Sequence, residues 1–111
     1  MKMKTQVFLD STFYIGENAQ DNFDVIDKGG SDDLWFHAKH VSSCHVVAVI
    51  VQKNKKQLRT IIRQAALLCK QYTNKLSKNP NTEIIYTKIK HVTKTDTIGC
   101  VLTTNTKEII V

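Results

Sequence analysis

The stretch "DLWFHAKHVSSCHVVAVIV", residues 33–51, sets the architecture. Its first part, "DLWFHAK", alternates with a period of two and is rich in β-prone residues, so it reads as a strand. "VSSC" is a turn. "HVVAVIV" is apolar on both faces, as a strand near the centre of a sheet must be when both of its faces are covered. Alternation along the first strand puts Leu34, Phe36 and Ala38 on one face and Asp33, Trp35, His37 and Lys39 on the other. The first set is core. The second is a row of acid, indole, imidazole and ammonium, which allows two roles for its tryptophan. Trp35 is either a platform for a stacked base, with His37 and Lys39 near a phosphate, or a packing residue that closes the sheet beneath a helix.

Working upstream, "KTQVFLDSTFYIG" (4–16) predicts a hairpin that turns at Asp10-Ser11. "ENAQDNFDVIDKGG" (17–30) predicts a short helix, with Ala19, Phe23 and Ile26 at three- and four-residue spacing and Gly29-Gly30 ending it. Downstream, "NKKQLRTIIRQAALLCKQYTNKLS" (54–77) carries the strongest helical pattern, with Asn54 as N-cap. Leu58, Ile61, Ile62, Ala65, Leu68, Cys69, Tyr72 and Leu76 fall within an arc of roughly 120°, and Lys56, Arg59, Arg63 and Lys70 within about 60° on the opposite side. Pro80 breaks the chain in "NPNT". "TEIIYTKIKHV" (82–92), "GCVLTT" (99–104) and "KEIIV" (107–111) are further strands, the last two joined by a tight turn at Asn105-Thr106. The order ββαββαβββ predicts one mixed α+β domain over residues 1–111, with two helices on a largely antiparallel sheet.

Charge is unevenly spread. Residues 1–40 hold four lysines against seven acids, whereas residues 41–111 hold twelve lysines and arginines against three acids. A basic pole of that size favours nucleic acid or an acidic partner. No apolar run approaches the roughly 18 residues that span a bilayer, and the basic start lacks the apolar region of an export signal. Cys44, Cys69 and Cys100 are far apart and odd in number, which fits free thiols in a reducing compartment. A cytoplasmic protein is expected.

His37, His40, Cys44 and His45 are zinc-type ligands close together in sequence. Strand alternation turns His37 away from His40 and Cys44 away from His45, so no metal and no cofactor are expected. The same alternation separates Cys44 from a histidine base, and no phosphate loop of the G-x-x-x-x-G-K type occurs. Catalysis is not expected.

Three segments resemble the R domain of the NFACT family. "YIGENAQDNFDVI" is similar to the family's opening through Gly16, Asn18 and Asn22. "DDLWFHAKHVSSCHVV" resembles its tryptophan–histidine pattern through Asp33, Trp35, Phe36, His37 and His45, and "YTKIKHVTKTDTIGCVLTT" its late segment through Lys90, Val92, Lys94 and Gly99. Ser42-Ser43 stand where the family usually has Pro-Gly, His40 where it has an acid, and Ile98 where it has a proline. The resemblance covers nearly the whole chain and implies a stand-alone R domain, without the N-terminal, helix-hairpin-helix and coiled-coil parts of longer members. It further implies a link to ribosome-associated quality control, in which family proteins recruit tRNA at stalled large subunits.

The expected function is a non-catalytic nucleic-acid-binding module for tRNA or ribosomal RNA. Lys56, Arg59, Arg63 and Lys70 are its expected phosphate contacts. Trp35 and His37 form the expected stacking and hydrogen-bonding centre, with Asp33 orienting His37. Lys39 and His45 extend this row, and Lys90 and Lys94 extend the basic rim. The alternatives are a protein-interaction domain docking on the ribosome or an acidic partner, and a DNA-binding domain.

Overall fold

The computed structural model describes residues 3–51 and 54–111. β1 (Lys4–Phe8) and β2 (Ser11–Gly16) form the first hairpin. Its two turn residues are Leu9 and Asp10, at φ 50° and 62°, the left-handed pair that matches strand twist in a two-residue turn. The turn therefore falls one residue before Asp10-Ser11. Ser11 belongs to the ladder opposite Phe8, and its buried hydroxyl accepts from the Val51 amide.

β3 (Leu34–Ala38) and β4 (His45–Val49) lie at the middle of a six-stranded sheet, completed by β5 (Glu83–Lys88) and β8 (Lys107–Ile110). The order is β1-β2-β4-β3-β5-β8, and every neighbouring pair is antiparallel. β6 (Val92–Lys94) and β7 (Val101–Thr103) form a separate antiparallel pair. The mixed α+β class is as the sequence predicts. α1 spans Ala19–Ile26 and α2 spans Lys55–Gln71.

α2 lies on one face of the sheet. Ile61, Ala65, Leu68 and Cys69 pack there on Phe13, Ile15, Phe36 and Val46, with Leu34 and Ala38 in the same cluster. Asn54 caps the helix as expected, its Oδ1 accepting from the amides of Lys56 and Gln57. The helix stops at Gln71, short of the predicted Ser77, because Thr73 turns inward. The Thr73 hydroxyl donates to the Cys69 carbonyl and accepts from the Cys44 amide. Leu76 still reaches the core through the turn that follows. Cys44 and Cys69 are buried free thiols, each directed at the other's backbone carbonyl, which ties β4 to α2.

The other face is also covered, and here three expectations are corrected. Trp35 is only 2% exposed: Val25 and Ile26 of α1, with Val47, surround it, and Ile89, Val92 and Val101 complete the cluster. The indole is a packing residue, and its stacking face is unavailable to a ligand. The predicted long strand 82–92 breaks after Lys88 into a 3₁₀ turn at Ile89–His91, pinned where the amides of Ile89 and Lys90 donate to the carbonyls of Asp33 and Ser31. This turn carries the chain from the main sheet to β6 and brings Ile89 over Trp35. β7 and β8 are likewise not partners. Residues 104–106 cross between sheets, and the Thr87 hydroxyl holds the crossing through the carbonyls of Thr104 and Asn105. Among the described residues, no helix is long and apolar enough to cross a membrane.

Candidate nucleic-acid interface

The residues singled out in the sequence separate onto the two sides of the sheet. α2 presents Lys56, Arg59 and Arg63 outward, all exposed, and none has a carboxylate partner among the described residues. Lys70, half-buried on the same helix, instead donates its ammonium to the Val111 carbonyl at 3.1 Å. Trp35, His37 and His45 belong to the opposite face, with α1 and the β6–β7 pair. The basic stripe and the strand row are two surfaces.

The row itself differs from expectation in its bonding. Asp33 does not orient His37. Its two carboxylate oxygens accept from the amides of Gly30 (2.7 Å) and Ile50 (3.0 Å), which binds the loop before β3 to the end of β4. The Lys39 ammonium is matched by Glu108 at 2.7 Å and Glu83 at 3.6 Å, and Glu108 holds the Lys39 pKa above its usual value. Lys90 pairs with Asp32 at 3.3 Å and, with Lys88 beside it, holds that carboxyl below the usual carboxylate range. Lys94 pairs with Asp27 at 2.8 Å and lies 5.3 Å from the Phe23 ring centre. Each of these three lysines has its charge offset within the protein, unlike Lys56, Arg59 and Arg63 on α2.

What remains of the row is a cleft of about 350 Å³ between β3, β4, α1 and β7. His37 and Trp35 stack in parallel with ring centres 5.6 Å apart, and His45 stands edge-on to both. The Trp35 indole N–H donates to His45 Nδ1 at 3.1 Å. Burial, followed by the neighbouring His37, pushes the His45 pKa down to about 3, so its ring is neutral near neutral pH. Burial lowers His37 as well, against the opposing pull of the Ala38 carbonyl.

Two glycines make this geometry possible. A side chain at Gly16 would meet Asn22 Oδ1 and the Asp21 backbone at 2.8 Å, so glycine lets α1 approach β2 closely enough for Asn22 to accept from the His45 amide. Gly99 has φ +87°, and a Cβ there would fall 2.9 Å from Ala19 Cα, where the 98–100 loop closes over the start of α1. An adjoining hollow of about 550 Å³ shares Asn22, Ser42, Ser43, Gly99 and Cys100 with the cleft. Asn22 and Cys100 were not among the expected site residues. Asn22 was visible only through the family pattern, and Cys100 only through tertiary proximity.

The zinc-type residues are dispersed. Cys44 faces α2, His40 is exposed beside Glu83, and only His37 and His45 share a face. Among the described residues, no group of three or more His, Cys, Asp or Glu side chains is placed to hold a metal.

The chain is 31% identical over 87 residues to mouse coiled-coil domain-containing protein 25, covering 76% of this chain and 41% of that protein. It is 29% identical over 84 residues to the Rqc2 homolog RqcH of Bacillus subtilis, covering 75% of this chain and 14% of that one. The chain thus spans well under half the length of these relatives. Its fold matches the C-terminal part of the fibronectin/fibrinogen-binding protein from Streptococcus suis with a TM-score of 0.84 at 22% identity, over 100% of this chain and 45% of that one. Residues 4–109 match the model of the NFACT protein RNA binding domain, and the chain belongs to that family.

Proposed function

We propose that this chain binds tRNA or ribosomal RNA through phosphate contacts made by the outer face of α2, in association with the large ribosomal subunit. The observation that carries this is the exposed, acid-free run Lys56, Arg59 and Arg63 within a domain of an RNA-binding family. Cations released of internal partners are the ones able to exchange condensed counterions for phosphates. Helix energetics add support. Lys55 and Lys56 occupy the first turn of α2, which holds no acid. Cations there oppose the helix dipole, an arrangement that costs stability and suits an anionic partner. Likeness to the Rqc2 homolog RqcH supports the ribosomal setting.

The test is tRNA affinity measured across a salt series for the wild type and for Arg59→Glu combined with Arg63→Glu. Three phosphate contacts predict a slope of log affinity against log salt of about −2 to −3. The double variant should keep its circular dichroism spectrum, lose most of its affinity and flatten the slope. Unchanged affinity in a folded double variant would remove α2 as the interface. Duplex DNA binding with the same slope and equal strength would make the surface a general polyanion site.

A further inference from the structure

The cleft on the far side of the sheet offers hydrogen-bonding groups of a different kind from the cations on α2. His45 Nδ1 accepts from the Trp35 indole N–H, so the proton of the neutral ring lies on Nε2. His37 Nδ1 lies 2.6 Å from the Ala38 carbonyl oxygen, which can only accept, so its proton lies on Nδ1 and its Nε2 is a bare acceptor. The two rings stand at 87° with centres 5.0 Å apart. Neither Nε2 bonds a protein group among the described residues. Both histidines line the cleft, one ring carrying a donor and the other an acceptor, fixed in opposite tautomers by Trp35 and by the backbone.

Asn22 adds to this pair. Its Oδ1 is occupied by the His45 amide, which leaves its NH₂ as a second donor at the cleft wall. Ile85 and Val101 supply apolar walls, and no lysine or arginine lines the cleft among the described residues. A phosphate would find no cation here. A flat neutral group with adjacent donor and acceptor would find both complements. At about 350 Å³ the space lies at the small end of ligand pockets, which run from about 300 to 1,000 Å³.

We propose that this cleft takes the hydrogen-bonding edge of one unstacked nucleobase, with His45 Nε2–H donating to it and His37 Nε2 accepting from it. The proposal rests on the RNA-binding role above and adds a second, base-reading site on the opposite face from the phosphate contacts. Each nucleobase has a donor beside an acceptor on its pairing edge, and pairing consumes both in a duplex. The cleft thus distinguishes an unpaired base from a paired one, the mode by which RNA loops and ends are recognised. His37 and His45 are the binding residues, and Trp35 and Asn22 are positioning residues that hold His45.

The test uses the whole chain with ¹⁵N-labelled histidine. Imidazole nitrogen shifts should first show the proton on Nε2 of His45 and on Nδ1 of His37. Adenosine and uridine, which carry no phosphate, should then move both histidines in a saturable way. Inorganic phosphate and N-methylacetamide at the same concentrations should not. N-ethylmaleimide on Cys100, the exposed thiol at the cleft, should abolish the nucleoside response. His37→Phe keeps an aromatic ring and removes the acceptor; it should weaken a looped RNA about tenfold and a duplex of equal length less than about twofold. Nucleosides that leave both histidines unmoved would overturn the proposal, as would an equal response to phosphate. An equal response to N-methylacetamide would assign the cleft to a peptide group and also overturn it. Arg59→Glu with Arg63→Glu separates the two claims. Lost RNA affinity with an intact nucleoside response is expected. Silent nucleosides beside salt-dependent RNA binding would remove the cleft alone, and a nucleoside response beside RNA binding indifferent to the double variant would remove only the α2 interface.

Discussion

The Trp35 indole fills the space between the sheet and α1, and its N–H sets the tautomer of His45. Truncation should therefore act first on stability. Trp35→Ala should cost about 3–5 kcal/mol, measured by urea denaturation, as expected of a large aromatic removed from a packed core. Trp35→Phe should cost less, yet still leave His45 Nδ1 without its donor at a cost of about 1–3 kcal/mol. A loss below about 1 kcal/mol for Trp35→Ala would contradict the packing role. His45 also makes stability depend on pH. Its folded pKa of about 3 lies below its unfolded value of about 6.5. Between these values the unfolded chain binds a proton that the native chain refuses, so stability falls as pH falls through that window. The contribution is up to about 1.4 kcal/mol per pH unit. His45→Gln should flatten the decline in denaturation midpoint between about pH 6 and pH 4. An unchanged profile would mean that His45 is free to charge in the fold. His37, lowered in the same direction, adds to the decline in this window, and the depressed carboxyls of Asp32 and Glu108 extend it to lower pH.

At the scale of the element, α2 sets stability against binding. Asn54 satisfies two of the helix's unpaired amides, so Asn54→Ala should cost about 1 kcal/mol without altering the basic face. Lys56→Glu should do the reverse. An acid in the first turn complements the helix dipole and should raise stability by about 0.3–1 kcal/mol. The same substitution should weaken tRNA binding by several-fold through lost phosphate contact. Thermal denaturation and anisotropy titration on one preparation decide this. A variant that is both more stable and equally tight would show that the N-terminal turn of α2 does not meet nucleic acid. Beyond α2, the crossing at residues 104–106 separates strands adjacent in sequence into different sheets. Thr87 holds that crossing through two carbonyls. β6 and β7 can therefore cover the Trp35 face while β8 extends the main sheet.

Across the whole molecule, the sheet separates the α2 cations from the cleft, with a packed core on each face. Variants on the two sides share no partner, so their effects on RNA affinity should add to within about 0.5 kcal/mol. Combining Arg59→Glu with His37→Phe and finding strong non-additivity would mean that one RNA segment touches both surfaces through a coupled change. Local pattern alone determined the elements that bury one continuous stripe. The alternation of Leu34, Phe36 and Ala38, the two-faced "HVVAV" strand and the Ile61–Ala65–Leu68–Cys69 stripe each name their burial in a few residues. The basic face of α2 follows from the same helical period. The fate of the second face was not legible in that way. Whether Trp35 is a platform or core depends on what covers it, and the cover comes from α1, Ile89, Val92 and Val101, distant in sequence and brought together by the 3₁₀ turn and the crossing. Pairing of Lys39, Lys90 and Lys94 with their acids is likewise a matter of proximity across elements. Periodicity reports which side of an element is apolar. Only tertiary packing decides which polar residues on the other side meet partners, and so which cations and which imidazole nitrogens are left for a ligand.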